Sequence, residues 1–113
     1  MGQCIAVVSG KGGTGKTSFT AGVGAALALS GLRVLCVDCD IGLRNLDIAL
    51  GLSDAALMAF SDVAQQRCTL ERAVVSHPQL AKLSLLTAPI RQRGQPVTGE
   101  QMASLLRAVR MQY

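Results

Sequence analysis

Short apolar runs alternate along this chain with longer segments of helical periodicity. The runs lie at residues 4–8 (CIAVV), 33–37 (RVLCV) and 83–87 (LSLLT), and the first is apolar at every position. Such continuity is typical of parallel strands buried on both faces of a sheet. A helical segment over 17–30, which Gly31 ends, separates the first two runs. Strand, helix and strand within about 35 residues predict one right-handed βαβ unit.

Capping residues predict shorter helices further along the chain. Ser53 and Ser61 each precede an aspartate and an apolar pattern, which is typical of an N-cap. Thr69 is a third candidate cap, for a helix that continues through Val75. The segment 41–52 (IGLRNLDIALGL) is predicted to be a loop or a short turn of helix.

The last helical segment begins at Thr98, which is spaced to form a capping box with Gln101. Its apolar positions share one helical face: Met102, Leu105, Leu106 and Val109. A helix that lies on a membrane surface is the alternative, but the basic content is modest. We therefore expect this helix to pack on the sheet.

The amino-acid composition indicates which residues build the core, and the distribution of charge argues against nucleic acid as a partner. Half of the 113 residues are apolar and only three are aromatic, which indicates an α/β core of Val, Leu, Ile and Ala. The formal net charge is +4, but the basic residues are scattered. This distribution favours a solvated surface over a nucleic-acid interface.

The chain has four cysteines, Cys4, Cys36, Cys39 and Cys68, and Cys36 and Cys39 form a C-x-x-C pattern. On a strand, positions three apart point to opposite faces, and no second pair completes a zinc site. The first ten residues also lack the basic region of a secretory signal. We expect all four cysteines to be small core residues in a reducing cytosol.

Residues 10–17 (GKGGTGKT) fit the phosphate-loop pattern G-x-x-x-x-G-K-[ST] between a predicted strand and a predicted helix. The glycines leave backbone N–H groups able to converge on phosphate oxygens, and the helix N-terminus adds partial positive charge. Lys16 is predicted to bridge the β- and γ-phosphates, and the Thr17 hydroxyl to ligate Mg²⁺. The predicted fold is thus an α/β, P-loop NTPase-type parallel sheet flanked by helices. The predicted nucleotide-binding residues are Gly10, Lys11, Gly12, Gly13, Thr14, Gly15, Lys16, Thr17 and Ser18.

The string KGGTGKT is the deviant form of this loop and resembles the MinD/ParA family of dimeric ATPases. The resemblance implies ATP as the nucleotide, a homodimer, and a Lys11 that reaches the partner's nucleotide. Residues 37–52 (VDCDIGLRNLDIALGL) resemble the septum-placing members most. By this resemblance Asp40 orients the attacking water and Asp38 lies near Mg²⁺, so the catalytic set is Lys11, Lys16 and Asp40.

The resemblance further implies division-site regulatory proteins and the membrane surface as partners, the latter through parts not present in this chain. The protein is then expected in the cytoplasm, and reversibly at the inner face of the cell membrane when full length. A DNA-partition ATPase, a flagellar-number regulator and a non-catalytic nucleotide-binding remnant are the alternatives. The first would bind DNA in a salt-sensitive way.

The chain departs from the family in length, because family members are more than twice as long. Their second phosphate-sensing motif, D-x-P-x-G, is expected just after Tyr113 and is absent here. Residues 1–113 are therefore predicted to be the N-terminal part of a single P-loop ATPase domain. The strand of the missing motif would lie between those of 4–8 and 33–37, so unpaired strand edges, marginal stability and poor ATPase activity are expected.

Overall fold

The computed structural model describes residues 2–7, 15–39, 45–52, 58–89 and 94–113. Its elements in chain order are α1 (Lys16–Leu29), β1 (Val34–Val37), α2 (Asn45–Ala49), α3 (Phe60–Ala64), α4 (Leu70–Ala73), β2 (Val75–Ser76), β3 (Leu83–Leu86) and α5 (Gly99–Gln112). The three strands form one sheet in the order β1-β3-β2. β1 and β3 run parallel with Val34 opposite Leu83, whereas β2 is antiparallel to β3. The predicted α/β class is confirmed, with one antiparallel edge strand added to the parallel pair.

The unit of α1 and β1 follows the sequence closely. α1 ends where Gly31 takes a left-handed backbone with φ of 102°, a conformation that favours glycine. The amide of Leu32 donates to the carbonyl of Leu27 at 3.1 Å, which closes the last turn. The chain then enters β1 at Val34, one residue later than predicted. α1 therefore lies on one face of the sheet and runs antiparallel to β1, with its last turn at the amino end of that strand.

Two apolar clusters lie on opposite faces of the sheet, and β3 contributes to both. Leu83 and Leu85 pack in the cluster that contains α1 and α2, whereas Leu86 packs in the cluster that contains α3, α4 and α5. This division follows from the two-residue repeat of side chains along a strand. All three leucines are fully buried, and each burial stabilises the fold by about 1.5–3 kcal/mol.

The capping box of α5 is confirmed in both directions. The Gln101 amide donates to the Thr98 hydroxyl oxygen at 3.1 Å, and the Thr98 amide donates to the Gln101 side-chain oxygen at 2.9 Å. Leu105 is buried, and Met102 and Val109 pack against the same cluster. The expectation that this helix packs on the sheet is thus confirmed.

The predicted first strand is wrong over its described part. Residues 2–7 belong to no strand, and Cys4, Ile5 and Ala6 are exposed, with 69% of Ile5 accessible. An apolar run is buried in a sheet only where a neighbouring strand offers backbone partners. Within the described ranges, no strand takes that place beside residues 2–7.

Two helix boundaries differ from the sequence prediction. α3 begins at Phe60 with Ala59 as N-cap, because the Asp62 carboxylate accepts a hydrogen bond from the Ala59 amide at 2.8 Å; Ser61 lies inside the helix. Thr69 occupies the N-cap position of α4 without a capping hydrogen bond from its side chain. The helix ends at Ala73, because Val75 pairs with Leu85 of β3. A long-range pairing thus overrides the local helical pattern.

The cysteines are divided between the core and the surface. Cys36 is buried and Cys68 is half-buried, but Cys4 and Cys39 are exposed, so the prediction of four core cysteines is wrong for these two. The exposure of these two cysteines follows from their positions. Cys4 belongs to the segment that pairs with no strand, and Cys39 lies beyond the end of β1. Burial raises the pKa of the Cys36 thiol to about 11.

The described ranges contain no group of three or more His, Cys, Asp and Glu side chains placed to hold a metal ion. None of their helices combines the length and the apolar character that crossing a bilayer requires. Ser53, a predicted N-cap, lies outside the described residues.

Two glycines of α1 provide a matched test of this packing. A methyl group at Gly24 would stand 2.6 Å from the Cys36 sulfur, whereas one at Gly22 meets nothing within 4 Å. Gly22→Ala should therefore raise the free energy of unfolding by about 0.5–1 kcal/mol through helix propensity. Gly24→Ala should lower it by about 1–3 kcal/mol through overpacking. Urea titrations of both variants measure the difference, and equal effects would contradict the α1–β1 contact.

Thiol labelling tests the cysteine assignment. With iodoacetamide at about pH 8, exposed Cys4 and Cys39 should be modified first. Cys36 should stay unmodified in the folded chain, because it is buried and its raised pKa keeps the thiol protonated. Peptide mass spectrometry reports each site, with the urea-unfolded chain as the control in which all four react. Labelling of native Cys36 at the rate of Cys39 would contradict its burial.

Candidate nucleotide site

The carboxyl edge of the sheet brings the predicted phosphate-binding and metal-binding residues to one side of the molecule. α1 has 14 residues and is thus about 21 Å long. Its last turn leads directly into the amino end of β1, so its first turn lies toward the carboxyl ends of β1 and β3. Ligands of open α/β sheets bind at this edge.

The first turn of α1 has the features of an anion site. Gly15 is its N-cap and has φ of 87°, a left-handed backbone that residues with a Cβ rarely adopt. Its carbonyl accepts from the Phe19 amide at 2.9 Å, which starts the helix. Gly15 has no side chain that could bond the first amides, and the first turn contains no acidic residue. The amide dipoles at this terminus are therefore not neutralised by the helix itself, which fits a phosphate group.

The residues of α1 that are predicted to bind phosphate and Mg²⁺ come directly after Gly15. Lys16 and Thr17 are half-buried and Ser18 is exposed. The Thr20 hydroxyl donates to the Lys16 carbonyl at 2.9 Å, which adds a side-chain bond to the helical ladder. Thr17, in the same turn, has a hydroxyl oxygen, a ligand type that Mg²⁺ accepts.

Asp38 connects three elements at the same edge. Its amide donates to the Leu86 carbonyl at 2.9 Å, which extends the β1–β3 ladder by one residue. Its carboxylate oxygen Oδ2 accepts from the Leu46 amide at 3.3 Å, at the start of α2. The side chain is only 7% exposed, so the carboxylate is held in place and largely excluded from water. A carboxylate oxygen at a strand end also fits Mg²⁺, which commonly uses one or two protein ligands and completes its shell with phosphates and water.

The directions of α1 and β1 therefore put Lys16, Thr17 and Asp38 toward the same edge of the sheet, and the roles given to them stay predictions. Residues 10–14 and Asp40 lie outside the described residues, so the roles given to Lys11 and Asp40 stay predictions. The Asp38–Leu46 hydrogen bond was not anticipated. The sequence feature that could have indicated this hydrogen bond is the helical spacing of apolar positions after Asn45, which allows a short helix to begin beside the aspartate.

Comparison with known proteins gives a consistent result. Residues 5–112 match the CobQ/CobB/MinD/ParA nucleotide binding domain. The septum site-determining protein MinD of Synechocystis is 42% identical over 113 residues, which are 100% of this chain and 42% of that protein. The MinD of Bacillus subtilis is 38% identical over 115 aligned residues, again 100% of this chain and 42% of the relative. The chain thus spans well under half the length of these relatives.

Solved structures show the same similarity. A MinC:MinD cell division protein complex from Aquifex aeolicus has a TM-score of 0.78 and 38% identity, over 90% of this chain and 39% of that one. MinD complexed with Mg-ADP from Pyrococcus horikoshii has a TM-score of 0.72 and 31% identity, over 94% of this chain and 43% of that one. Sequence match, fold and site agree: the chain belongs to the CobQ/CobB/MinD/ParA nucleotide-binding family of P-loop ATPases.

Proposed function

We propose that this chain supplies the phosphate-binding part of an ATP-dependent dimeric switch that acts in placing the division septum. The observation that carries the proposal is the sequence GKGGTGKT at the N-terminus of α1, with the hydrogen-bonded Asp38 carboxylate at the same edge of the sheet. The similarity to septum site-determining proteins supports the cellular role.

In this proposal each residue has a physical task. Backbone amides of the loop and the first turn of α1 bind phosphate oxygens, and the Lys16 ammonium compensates their charge. Thr17 and Asp38 hold Mg²⁺, which when bound neutralises charge on the phosphates. Asp40, two residues beyond Asp38, orients the attacking water.

Lys11 has the second cationic role. Hydrolysis spreads negative charge over the γ-phosphate, and a cation supplied from a partner stabilises that charge. A Lys11 that acts across a homodimer interface makes hydrolysis conditional on dimerisation. The support is the deviant form of the loop, KGGTGKT, in a chain whose relatives are MinD proteins.

The proposal includes a domain assignment, in which residues 1–113 form the N-terminal part of a single P-loop ATPase domain. The relatives are more than twice as long. The Val34 amide donates to the carbonyl of Lys82, directly before β3, and the Asp38 amide to that of Leu86. The two-residue repeat of a parallel ladder therefore turns the amides of Leu35 and Val37 away from β3. In the described part of the chain no strand occupies that side of β1, where a further strand would fit.

Division-site regulatory proteins and the membrane surface are the proposed partners, with the protein in the cytoplasm and reversibly at the membrane. A solved relative is in a complex of MinC with MinD, which supports a regulatory partner of this class. Membrane association would use parts outside this chain.

Replacing the phosphate-loop lysine tests the nucleotide site. Lys16→Ala should weaken Mg-ADP binding by at least about 10- to 100-fold, because a charge-assisted contact to phosphate is lost. Isothermal calorimetry measures the affinity. Lys82→Ala is the matched control, since Lys82 is exposed and donates to the Gly31 carbonyl at the amino edge of the sheet. Equal affinities of the wild type and Lys16→Ala for Mg-ADP would contradict the proposed nucleotide site.

Replacing the second lysine tests the dimeric mechanism. In the full-length protein, Lys11→Ala should bind ATP nearly as well as the wild type but hydrolyse it about 10³-fold more slowly. Phosphate release and nucleotide affinity are measured on the same sample. Turnover at the wild-type rate would show that Lys11 has no part in the chemical step.

A further inference from the structure

Thr87 carries a buried hydroxyl directly after β3, at the carboxyl edge of the sheet. Only 2% of the residue is accessible to solvent. Its hydroxyl donates to the carbonyl of Ala88, the next residue, at 3.5 Å, which is longer than the roughly 2.5–3.0 Å of a well-formed O–H···O bond. Buried hydroxyls without a good partner are few in folded proteins, because they lower stability. The position of Thr87 therefore needs an explanation other than core packing.

The backbone of Thr87 is fixed by two neighbouring segments. Its carbonyl accepts from the Phe60 amide at 2.8 Å, and Thr87 forms a parallel bridge with Ala59. The carbonyl of Leu86, the residue before it, accepts from the Asp38 amide at 2.9 Å. With the backbone held in this way, the direction of the hydroxyl depends on the side-chain torsion, which has three staggered positions.

The register of the sheet puts Thr87 opposite Asp38. Val37 pairs with Leu86 in the parallel ladder, and Asp38 and Thr87 are the next residues of the two strands. Neighbouring strands lie about 4.8 Å apart, and side chains opposite each other point to the same face of the sheet. Leu85, two positions before Thr87, packs in the cluster of α1 and α2, so this is the face that both side chains share.

The Asp38 carboxylate is a suitable acceptor for a second donor. It is largely buried, and its Oδ2 accepts from the Leu46 amide at 3.3 Å, which is a long hydrogen bond. A carboxylate has acceptor sites for about four hydrogen bonds, so one amide does not exhaust its capacity. Carboxylates that bind metal ions are commonly oriented by hydrogen bonds from the residues around them.

We infer that Thr87 is a positioning residue for the Asp38 carboxylate in Mg-nucleotide binding. Its hydroxyl turns from the Ala88 carbonyl to Asp38 and donates to the carboxylate that is directed to Mg²⁺. Two donors, the Leu46 amide in α2 and the Thr87 hydroxyl after β3, then hold the carboxylate in one orientation. This inference rests on the proposed function, since it concerns the Mg²⁺ ligand proposed there.

Calorimetry on the full-length protein tests the inference, with ADP titrated once with Mg²⁺ and once with EDTA. Thr87→Val removes the hydroxyl at nearly constant volume and should weaken Mg-ADP binding about tenfold, as is typical when a metal ligand loses a neighbouring hydrogen bond. Affinity for ADP in EDTA should change less than about twofold, because Asp38 acts on the nucleotide through the metal. Thr87→Ser keeps the donor and should restore Mg-ADP affinity to within about threefold of the wild type.

Ser84→Ala is the matched control. Ser84 lies on the same strand and is also buried, at 8% exposure. It is an odd number of positions from Thr87, so its side chain lies on the face of the sheet opposite to the one that Thr87 and Asp38 share. This variant should bind Mg-ADP as the wild type does.

Urea unfolding separates positioning from a general loss of stability. Because the Thr87 hydroxyl has a weak partner, Thr87→Val should unfold at the urea midpoint of the wild type or at a higher one. An unchanged midpoint together with a loss of affinity confined to Mg-ADP supports the positioning role. A lower midpoint with equal losses in Mg²⁺ and in EDTA would show a structural role only and would overturn the inference.

A double-mutant cycle tests whether Thr87 acts through Asp38. In the Asp38→Asn background, Thr87→Val should weaken Mg-ADP binding by less than about twofold, and a full tenfold loss there would overturn the inference. If the wild type binds Mg-ADP and Thr87→Val binds within about twofold of it, the positioning role fails while the proposed function stands. If the wild type does not bind Mg-ADP, both fail.

Discussion

The parallel pairing of β1 with β3 is the interaction on which the rest of this structure depends. It creates the two faces on which α1 and the later helices bury their apolar side chains. It also aligns the carboxyl ends of both strands, where Asp38 extends the ladder by donating to Leu86. The same set of backbone hydrogen bonds therefore builds the core and presents the site.

The ladder has a second consequence at its other edge. Since β1 uses only one of its two edges in the described chain, the segment 2–7 has no strand partner there and its residues 3–6 stay exposed. What holds its beginning is the contact of Gly2 with Arg110 and Tyr113 at the opposite end of the sheet from the nucleotide site.

Features that depend on neighbouring residues were predictable. The start of α5 follows from Thr98 and Gln101, which satisfy each other's amides whatever packs on the helix. The end of α1 follows from Gly31, and the phosphate loop follows from glycine and lysine spacing ahead of a helix. Lys16 and Thr17 were assigned on this local basis and Asp38 by the resemblance to the family, and the directions of α1 and β1 put all three toward the same edge of the sheet.

The sequence by itself determined the phosphate-loop motif, the end of α1 and the start of α5, because each depends on residues within a few positions of the chain. The tertiary structure alone decided whether an apolar run becomes a buried strand. Residues 4–7 are as apolar as β3, yet β3 has a strand on both sides and residues 4–7 have none. Val75 likewise pairs with Leu85 of β3 instead of continuing the helix that the local pattern predicts. Strand pairing joins residues far apart in the chain, so no local pattern can specify whether the partner is present.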